Sequence, residues 1–244
     1  VMLADKLLDT IEQIHKKGVL HRDIKPENIL VGKKHASREI YLADYGISKL
    51  FKDSLGRHLK FSENKKFVGT CRYSSLAAHK GFEVGRKDDL ENLGYVLIYL
   101  LNGKLPWQKF TFPDEDKHIK VGTIKEDISI ENLCLNLPDE FHQYFEYIRH
   151  LEYYDKPDYK YLRSLFYNLA STERINFDYK WDWTISKSEL KPNSDSAIVF
   201  QDSKEARKSS IELNFARMTK SRERYSTKDF ILAHKSADAK ILAT

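Results

Sequence analysis

Apolar residues recur along this chain with two periods, and the period sets the element expected at each place. Leu3, Leu7, Ile11 and Ile14 lie at helical spacing and predict a helix that Gly18 ends. Ile29-Leu30-Val31 reads as a short strand, Lys33 to Glu39 as a polar hairpin turn and Ile40 to Ala43 as the returning strand. Such a hairpin brings Asn28 and Asp44 together at its open end. The stretch from Ile47 to Lys66 is basic with little apolar pattern, which predicts an exposed loop. Asp89 to Leu101 predicts the strongest helix, with Leu90, Leu93, Leu97, Ile98 and Leu101 on one stripe and Gly103 and Pro106 to stop it. Its nearly uniform apolarity predicts a buried, central position. Phe141, Tyr144, Phe145 and Ile148 form the face of one further helix, and Tyr161, Leu162, Leu165, Phe166 and Leu169 that of another. Those aromatic stripes are core, not a cofactor box. No internal repeat is evident.

The candidate chemistry sits on the polar breaks between these elements. His21-Arg22-Asp23-Ile24-Lys25-Pro26-Glu27-Asn28 follows the first helix, and Asp44-Tyr45-Gly46 follows the second hairpin strand. Phosphoryl transfer needs positioning and charge compensation more than covalent work by the protein. Asp23 suits the base that accepts a hydroxyl proton, and Lys25 reaches the transferring phosphoryl oxygens. Asn28 and Asp44 offer oxygen ligands to Mg2+, which takes few protein oxygens and completes its shell from the phosphates of ATP. The order D-x-K-x-x-N, strand, D-[F/Y]-G is the catalytic-loop and metal-loop pair of eukaryotic protein kinases.

A third segment narrows the resemblance. From Glu63 the chain reads E-N-K-K-F-V-G-T-C-R-Y-S-S-L-A-A-H-K-G, then R-K-D-D-L-E-N-L-G-Y-V-L-I-Y-L-L-N-G-K-L-P-W-Q. This closely resembles the casein kinase I family of Ser/Thr protein kinases, in which a Ser-Ile-Asn-like triplet stands where most kinases have A-P-E. Ser75-Leu76-Ala77 stands there in this chain. Vaccinia-related kinases share D-Y-G, but usually carry H-G-D-I-K-A where this chain has H-R-D-I-K-P. The resemblance runs from the first residues to Trp183.

The resemblance implies a mainly α (α+β) fold: the helical C-terminal lobe of the protein-kinase fold, with a short β-hairpin carrying the catalytic and metal-binding loops. It implies Asp23 and Lys25 as catalytic residues and Thr70 as their hydrogen-bond partner, an ordinary loop hydroxyl being the alternative for Thr70. A lysine at position 25 is the Ser/Thr-kinase form of the loop. Lys25, Asn28 and Asp44 would bind Mg-ATP. Arg22, Lys49 and Lys65 match positions that gather round an anion site near the activation segment, and Arg72 and Lys117 match a second site for an acidic or phosphorylated residue upstream of the target Ser or Thr. Charge-assisted hydrogen bonds would read such a residue; a solvated basic loop is the alternative. His21, Tyr45, Gly46 and Asp89 are implied as structural. Tyr45 is expected beneath His21 in the core, with His21 a packing residue rather than a proton shuttle. Asp89 is expected to hold the backbone of the catalytic loop. Cys71, Leu76 and Ala77 depart from the family's Ala, Ile and Asn.

Of 244 residues, 32% are charged and 41% hydrophobic, and no apolar run approaches membrane-spanning length. Residues 1–183 hold 29 Lys/Arg against 28 Asp/Glu, while residues 184–244 hold 12 against 8, so the excess positive charge belongs to the tail. No nucleic-acid motif accompanies it. The tail also has 14 Ser/Thr and only four Phe/Tyr, which predicts disorder beyond a kinase unit of residues 1–183. Within it, Ile211, Phe215 and Met218 share a short amphipathic pattern, and Ser226 has Glu223 three residues upstream, which suits acid-directed self-phosphorylation. Cys71 and Cys134 fit no metal spacing and read as reduced thiols of a cytoplasmic or nuclear protein.

A kinase also needs a glycine-rich loop and a strand lysine paired with a helix glutamate. No G-x-G spacing occurs among the ten glycines. The chain therefore reads as a fragment without the nucleotide-clamping lobe, monomeric and probing acidic or primed protein substrates. A non-catalytic module that docks acidic partners is the main alternative. A small-molecule phosphotransferase is a weaker one, opposed by Lys25 and the long segment ending at Ser75.

Overall fold

The computed structural model describes residues 1–181. The chain divides into two units, Val1–Lys187 and Ser188–Thr244, and the described residues all belong to the first. The expected limit at Trp183, the amphipathic stretch 211–218 and Ser226 lie outside the described residues.

Helix α1 (Met2–Lys16) buries Ala4, Leu7, Leu8 and Ile11. Leu3 and Ile14, expected on its stripe, stand at the margins and are only partly buried. Gly18 follows at φ 80°, a left-handed conformation that glycine adopts without steric cost. Four short strands come next: β1 (Val19–Leu20), β2 (Ile29–Val31), β3 (Ile40–Leu42) and β4 (Lys49–Leu50). β2 and β3 pair antiparallel with Leu30 opposite Tyr41, which gives the expected hairpin, and one 3-10 turn (Lys34–Ala36) closes it. At its open end Ala43 N–H donates to Asn28 O at 2.8 Å, so the two motif-bearing loops leave the hairpin side by side.

The stretch 47–66 departs from the exposed loop its composition predicts. β4 lies inside it and pairs antiparallel with β1, Phe51 is 1% exposed, and Lys52 bridges His58. A single buried aromatic residue leaves no periodicity to read; besides the nearby His58, its ring meets His15 and Arg86 from distant parts of the chain.

Six α-helices complete the described unit: α2 (Leu76–His79), α3 (Arg86–Asn102), α4 (Asp114–Asp127), α5 (Ile130–Leu133), α6 (Asp139–His150) and α7 (Tyr159–Thr172). α3 is the axis of the fold. Every residue from Asp88 to Ile98 is buried, and it packs against α1 on one side and α6 on the other. It starts three residues before the expected Asp89, where the Asp88 carboxylate accepts from Gly85 N–H at 2.7 Å. Leu101, expected on its buried stripe, is 56% exposed, because the last turn runs past the core. Gly103 ends the helix at φ 69°. α6 buries its four expected residues, and α7 buries Leu162, Leu165, Phe166 and Leu169 while Tyr161 stays exposed.

The short helices α2 and α5 and the longer α4 were not legible as periodic segments. α4 has a sequence dominated by charge, with only Val121, Gly122 and Lys125 buried. After α7 the chain returns to α1, where the Asp5 carboxylate accepts from Tyr179 OH (2.7 Å), Arg163 Nε (2.7 Å) and Tyr167 OH (2.9 Å). Among the described residues no helix is long and apolar enough to cross a membrane.

Candidate active site

Asp23 is the centre of the site, 7% exposed, in the loop between β1 and β2. Its Oδ1 accepts from Thr70 Oγ1 at 2.7 Å and from Thr70 N–H at 3.1 Å. Its Oδ2 accepts from Lys25 Nζ at 2.5 Å and from Asn28 Nδ2 at 3.3 Å. Lys25 Nζ also donates to Thr70 Oγ1 at 3.2 Å, and Asn28 Nδ2 to Asp23 O at 2.9 Å. Four side chains from two distant stretches of sequence are thus hydrogen-bonded to one another. Burial alone would push the Asp23 carboxyl up, but the hydrogen bonds and charge of Lys25, with those of Thr70, outweigh it and hold it below the ordinary carboxylate value. The hydrogen bond to Asp23 likewise raises Lys25. The pair is a carboxylate and an ammonium at neutral pH.

The loop that carries Asp23 is held from behind. Asp89, at the start of α3, is 2% exposed and accepts from His21 N–H and Arg22 N–H, each at 2.8 Å. Arg22 adopts φ 72°, a left-handed conformation costly for a residue with a Cβ, so the anchor sits where the backbone is strained. His15 bridges Asp89 (2.8 Å from Nε2) and Tyr159 OH (2.6 Å from Nδ1). Burial would push the Asp89 carboxyl up, but His15 and the two amides outweigh it and hold it low.

His21 is fully buried. Its Nε2 lies 2.9 Å from Ala43 O, which only accepts, so the ring donates there and its Nδ1 accepts Asp23 N–H at 3.3 Å. Both ring nitrogens are spent on backbone groups of the two motif loops. Tyr45 meets the His21 ring edge-on at 4.9 Å between centroids, but it is 43% exposed and not in the core as expected. Gly46 N–H donates to Asp44 Oδ1 at 3.1 Å.

Asn28 and Asp44 form a donor set of one amide oxygen and one carboxylate, both hard ligands suited to Mg2+. The Asn28 NH2 is spent on Asp23, which leaves its carbonyl oxygen as the free end. Asp44 is exposed, with φ 64°, and its charge acts on Lys25. The residues present fit the cation.

Arg22, Lys49 and Lys65 do line one cavity of about 230 Å³, together with Lys66. The cavity is not purely cationic, however. Glu83, buried and unanticipated from the sequence, pairs with Lys49 at 2.7 Å and Lys65 at 3.4 Å, and Asp88 and Asp89 also face it. Arg72 lies apart, its guanidinium 5.7 and 5.6 Å from the ring centres of Tyr73 and Tyr99. Lys117 pairs weakly with Asp114 at 3.7 Å, and its carbonyl accepts from the Cys71 thiol at 3.7 Å, which sets this part of α4 against the residue preceding Arg72. Glu83, His15 and Lys125 are functional-looking groups that the sequence did not single out. Each is a lone polar residue in its own stretch, and only the fold brings its partners.

Comparison with known families matches residues 2–177 to the protein kinase domain, which covers most of the chain. The chain belongs to the protein kinase family. That class uses ATP and Mg2+ in general, and Asp23, Lys25, Asn28 and Asp44 all lie within the matched residues.

Proposed function

We propose that this chain is the helical C-terminal lobe of a Ser/Thr protein kinase of casein kinase I type. It transfers the γ-phosphoryl group of ATP to Ser or Thr of acidic or already phosphorylated proteins. The observation that carries the reading is the ionised Asp23 carboxylate, gripped by Thr70, Lys25 and Asn28 in a loop anchored on Asp89. Asp23 orients the incoming hydroxyl and takes its proton; a positioned base of this kind contributes about 10²–10⁴-fold. Lys25, two residues on, offsets the charge of the phosphoryl oxygens. Mg2+ held by Asn28 and Asp44 would neutralise phosphate charge when bound. Arg22, Lys49, Lys65 and Arg72, with Lys117, supply the cationic groups that favour an acidic substrate.

The hairpin supports an upstream partner lobe. Leu30 and Tyr41, opposite one another across the two strands, are 49% and 50% exposed, an apolar face suited to an adenine ring or to a second lobe. Joined to a nucleotide-binding lobe, the chain is expected to phosphorylate a phosphoserine-primed peptide with Mg-ATP. Asp23→Asn is expected to abolish that transfer, and a rate within a factor of about two of the unsubstituted enzyme would remove Asp23 as the base. The 244-residue chain by itself is expected not to incorporate phosphate, and robust incorporation would refute the assignment of a separate clamping lobe.

A further inference from the structure

Lys125 plays no part in the reaction as described, yet this lysine on α4 has none of its surface exposed. Its Nζ lies 2.6 Å from Ser74 O, 3.1 Å from Cys71 O and 3.2 Å from His79 Nε2. It also stands over the rings of Tyr95 and Trp107, 4.6 and 4.7 Å from their centres. An ammonium has three N–H donors and here meets three acceptors. His79 can serve as one of them because its Nδ1 lies 2.7 Å from His118 O, an atom that only accepts. Nε2 lies 3.2 Å from Cys71 O, also an acceptor, but burial and the Lys125 charge keep the ring neutral with a single proton; the shorter Nδ1 contact takes that proton, and Nε2 is left to accept. Gly122 makes this approach possible, since a Cβ there would come within 2.8 Å of His79 Cβ.

What Lys125 holds is the turn that touches the base. Trp107 Nε1 donates to Arg72 O at 2.8 Å, so the carbonyls of residues 71, 72 and 74 are all captured by two buried side chains. Within the turn, Thr70 O accepts from Ser74 Oγ at 2.9 Å, Tyr73 N–H at 2.9 Å and Ser74 N–H at 3.0 Å. Thr70 then gives both its N–H and its hydroxyl to Asp23. Glu91, on α3, fixes the next step of the chain by accepting from Leu76 N–H at 3.3 Å.

We propose that Lys125 is a positioning residue: its Nζ, with Trp107 beside it, fixes the turn 70–75 so that Thr70 is held on Asp23. The inference rests on Asp23 as the base, but the turn can be observed whether or not the chain transfers phosphate. Lys125→Met keeps the length and apolar stem of the side chain and removes every donor. In the 244-residue chain at a pH of about 6.5, the amides of Thr70, Tyr73 and Ser74 are expected to exchange at least about tenfold faster in Lys125→Met, while those of Phe145 and Ile148 stay within about twofold. Coupled to a nucleotide-binding lobe, the same variant is expected to lower kcat for a primed peptide about tenfold or more with the KM for ATP within about twofold. Equal protection of the three turn amides in both proteins overturns the proposal, as does uniform loss of protection across α6. If Lys125→Met does not fold, Trp107→Phe carries the test: it keeps an aromatic face and loses only the donor to Arg72 O, and unchanged exchange at Tyr73 and Ser74 then overturns the proposal. Undiminished transfer by Asp23→Asn would sink the active-site reading while leaving the exchange result to stand or fall alone.

Discussion

Asp89→Ala probes whether the catalytic loop is held by one buried carboxylate or by many small contacts. The side chain accepts hydrogen bonds from His21 N–H, Arg22 N–H and His15, each at 2.8 Å, and is 2% exposed. Hydrogen bonds to a charged group are worth about 1.5–3 kcal/mol each, and the three share one partner, so they do not add. Removing one member of a buried charged network typically costs about 3–5 kcal/mol. Against a domain stability of about 5–15 kcal/mol that is a large share, and for a unit of this size it lowers the melting temperature by about 10 °C. Relief of Arg22 from its left-handed backbone, which the two amide bonds impose, offsets part of that loss.

The acid dependence gives a second reading of the same group. The folded Asp89 carboxyl is held below its unfolded value near 3.9, so its contribution is fully present above about pH 4 and is lost as pH falls through the folded value. Thermal unfolding followed by circular dichroism, for the parent chain and Asp89→Ala at about pH 7 and pH 3, measures both. The gap between the two proteins is expected to be wide at the higher pH and to narrow at the lower. A gap under about 2 °C at neutral pH would refute the anchoring argument, since it would put the network below 1 kcal/mol.

Three further outcomes follow from particular contacts. In Gly94→Ala, the added Cβ would sit 2.6 Å from Phe145 Cζ and 2.9 Å from Tyr144 Cε1, and the overpacking cost of about 1–3 kcal/mol exceeds the gain of about 1 kcal/mol in helix propensity; urea unfolding at equal or higher midpoint would contradict it. Tyr179→Phe removes a 2.7 Å bond to the Asp5 carboxylate and is expected to cost about 1–2 kcal/mol, with no loss if the segment after α7 is not truly docked on α1. Burial pushes the Lys125 amine down to about 7 against the pull of Glu91 and Cys71, so the unfolded chain binds the extra proton above that pH. Stability of the parent relative to Lys125→Met should therefore rise between pH 7 and 8.5, by up to about 1.4 kcal/mol per pH unit, and a flat difference in urea titrations would oppose it.

The candidate site's central groups were legible because they are local. Asp23, Lys25 and Asn28 lie within six residues, and the hairpin that brings Asp44 back to them is itself a short-range pattern of apolar strands around a polar turn. The same holds for α3, whose sequence is apolar enough to declare a central helix without knowledge of its neighbours. Position within the core was less legible than the element, as Tyr45 shows: its contact with His21 was expected, its exposure was not, because exposure depends on what else covers the hairpin. The supports of the site lay outside the reach of sequence patterns altogether. Glu83 meets Lys49 across 34 residues, His15 meets Asp89 across 74, and Lys125 meets Ser74 across 51. None has a motif, since each needs only one charge at one point in space and its flanking residues are free to vary in type.

That division has a physical cause. Groups that touch the reacting phosphate must share a narrow geometry, so chain connectivity favours placing them on one loop, where a few bonds fix their spacing. Groups that merely hold the loop still can act from any element that passes behind it, provided their polar atoms find acceptors out of water. Lys125 is the extreme case. α4 carries almost no apolar periodicity, and its one fully buried side chain is a lysine, so periodicity alone would have placed it in solvent. Three carbonyl or imidazole acceptors and two aromatic faces supply the compensation that hydration would otherwise give. A buried lysine so fully satisfied is a stronger pointer to a held backbone segment than any surface charge nearby, and here the segment it holds is the one that hands Thr70 to Asp23.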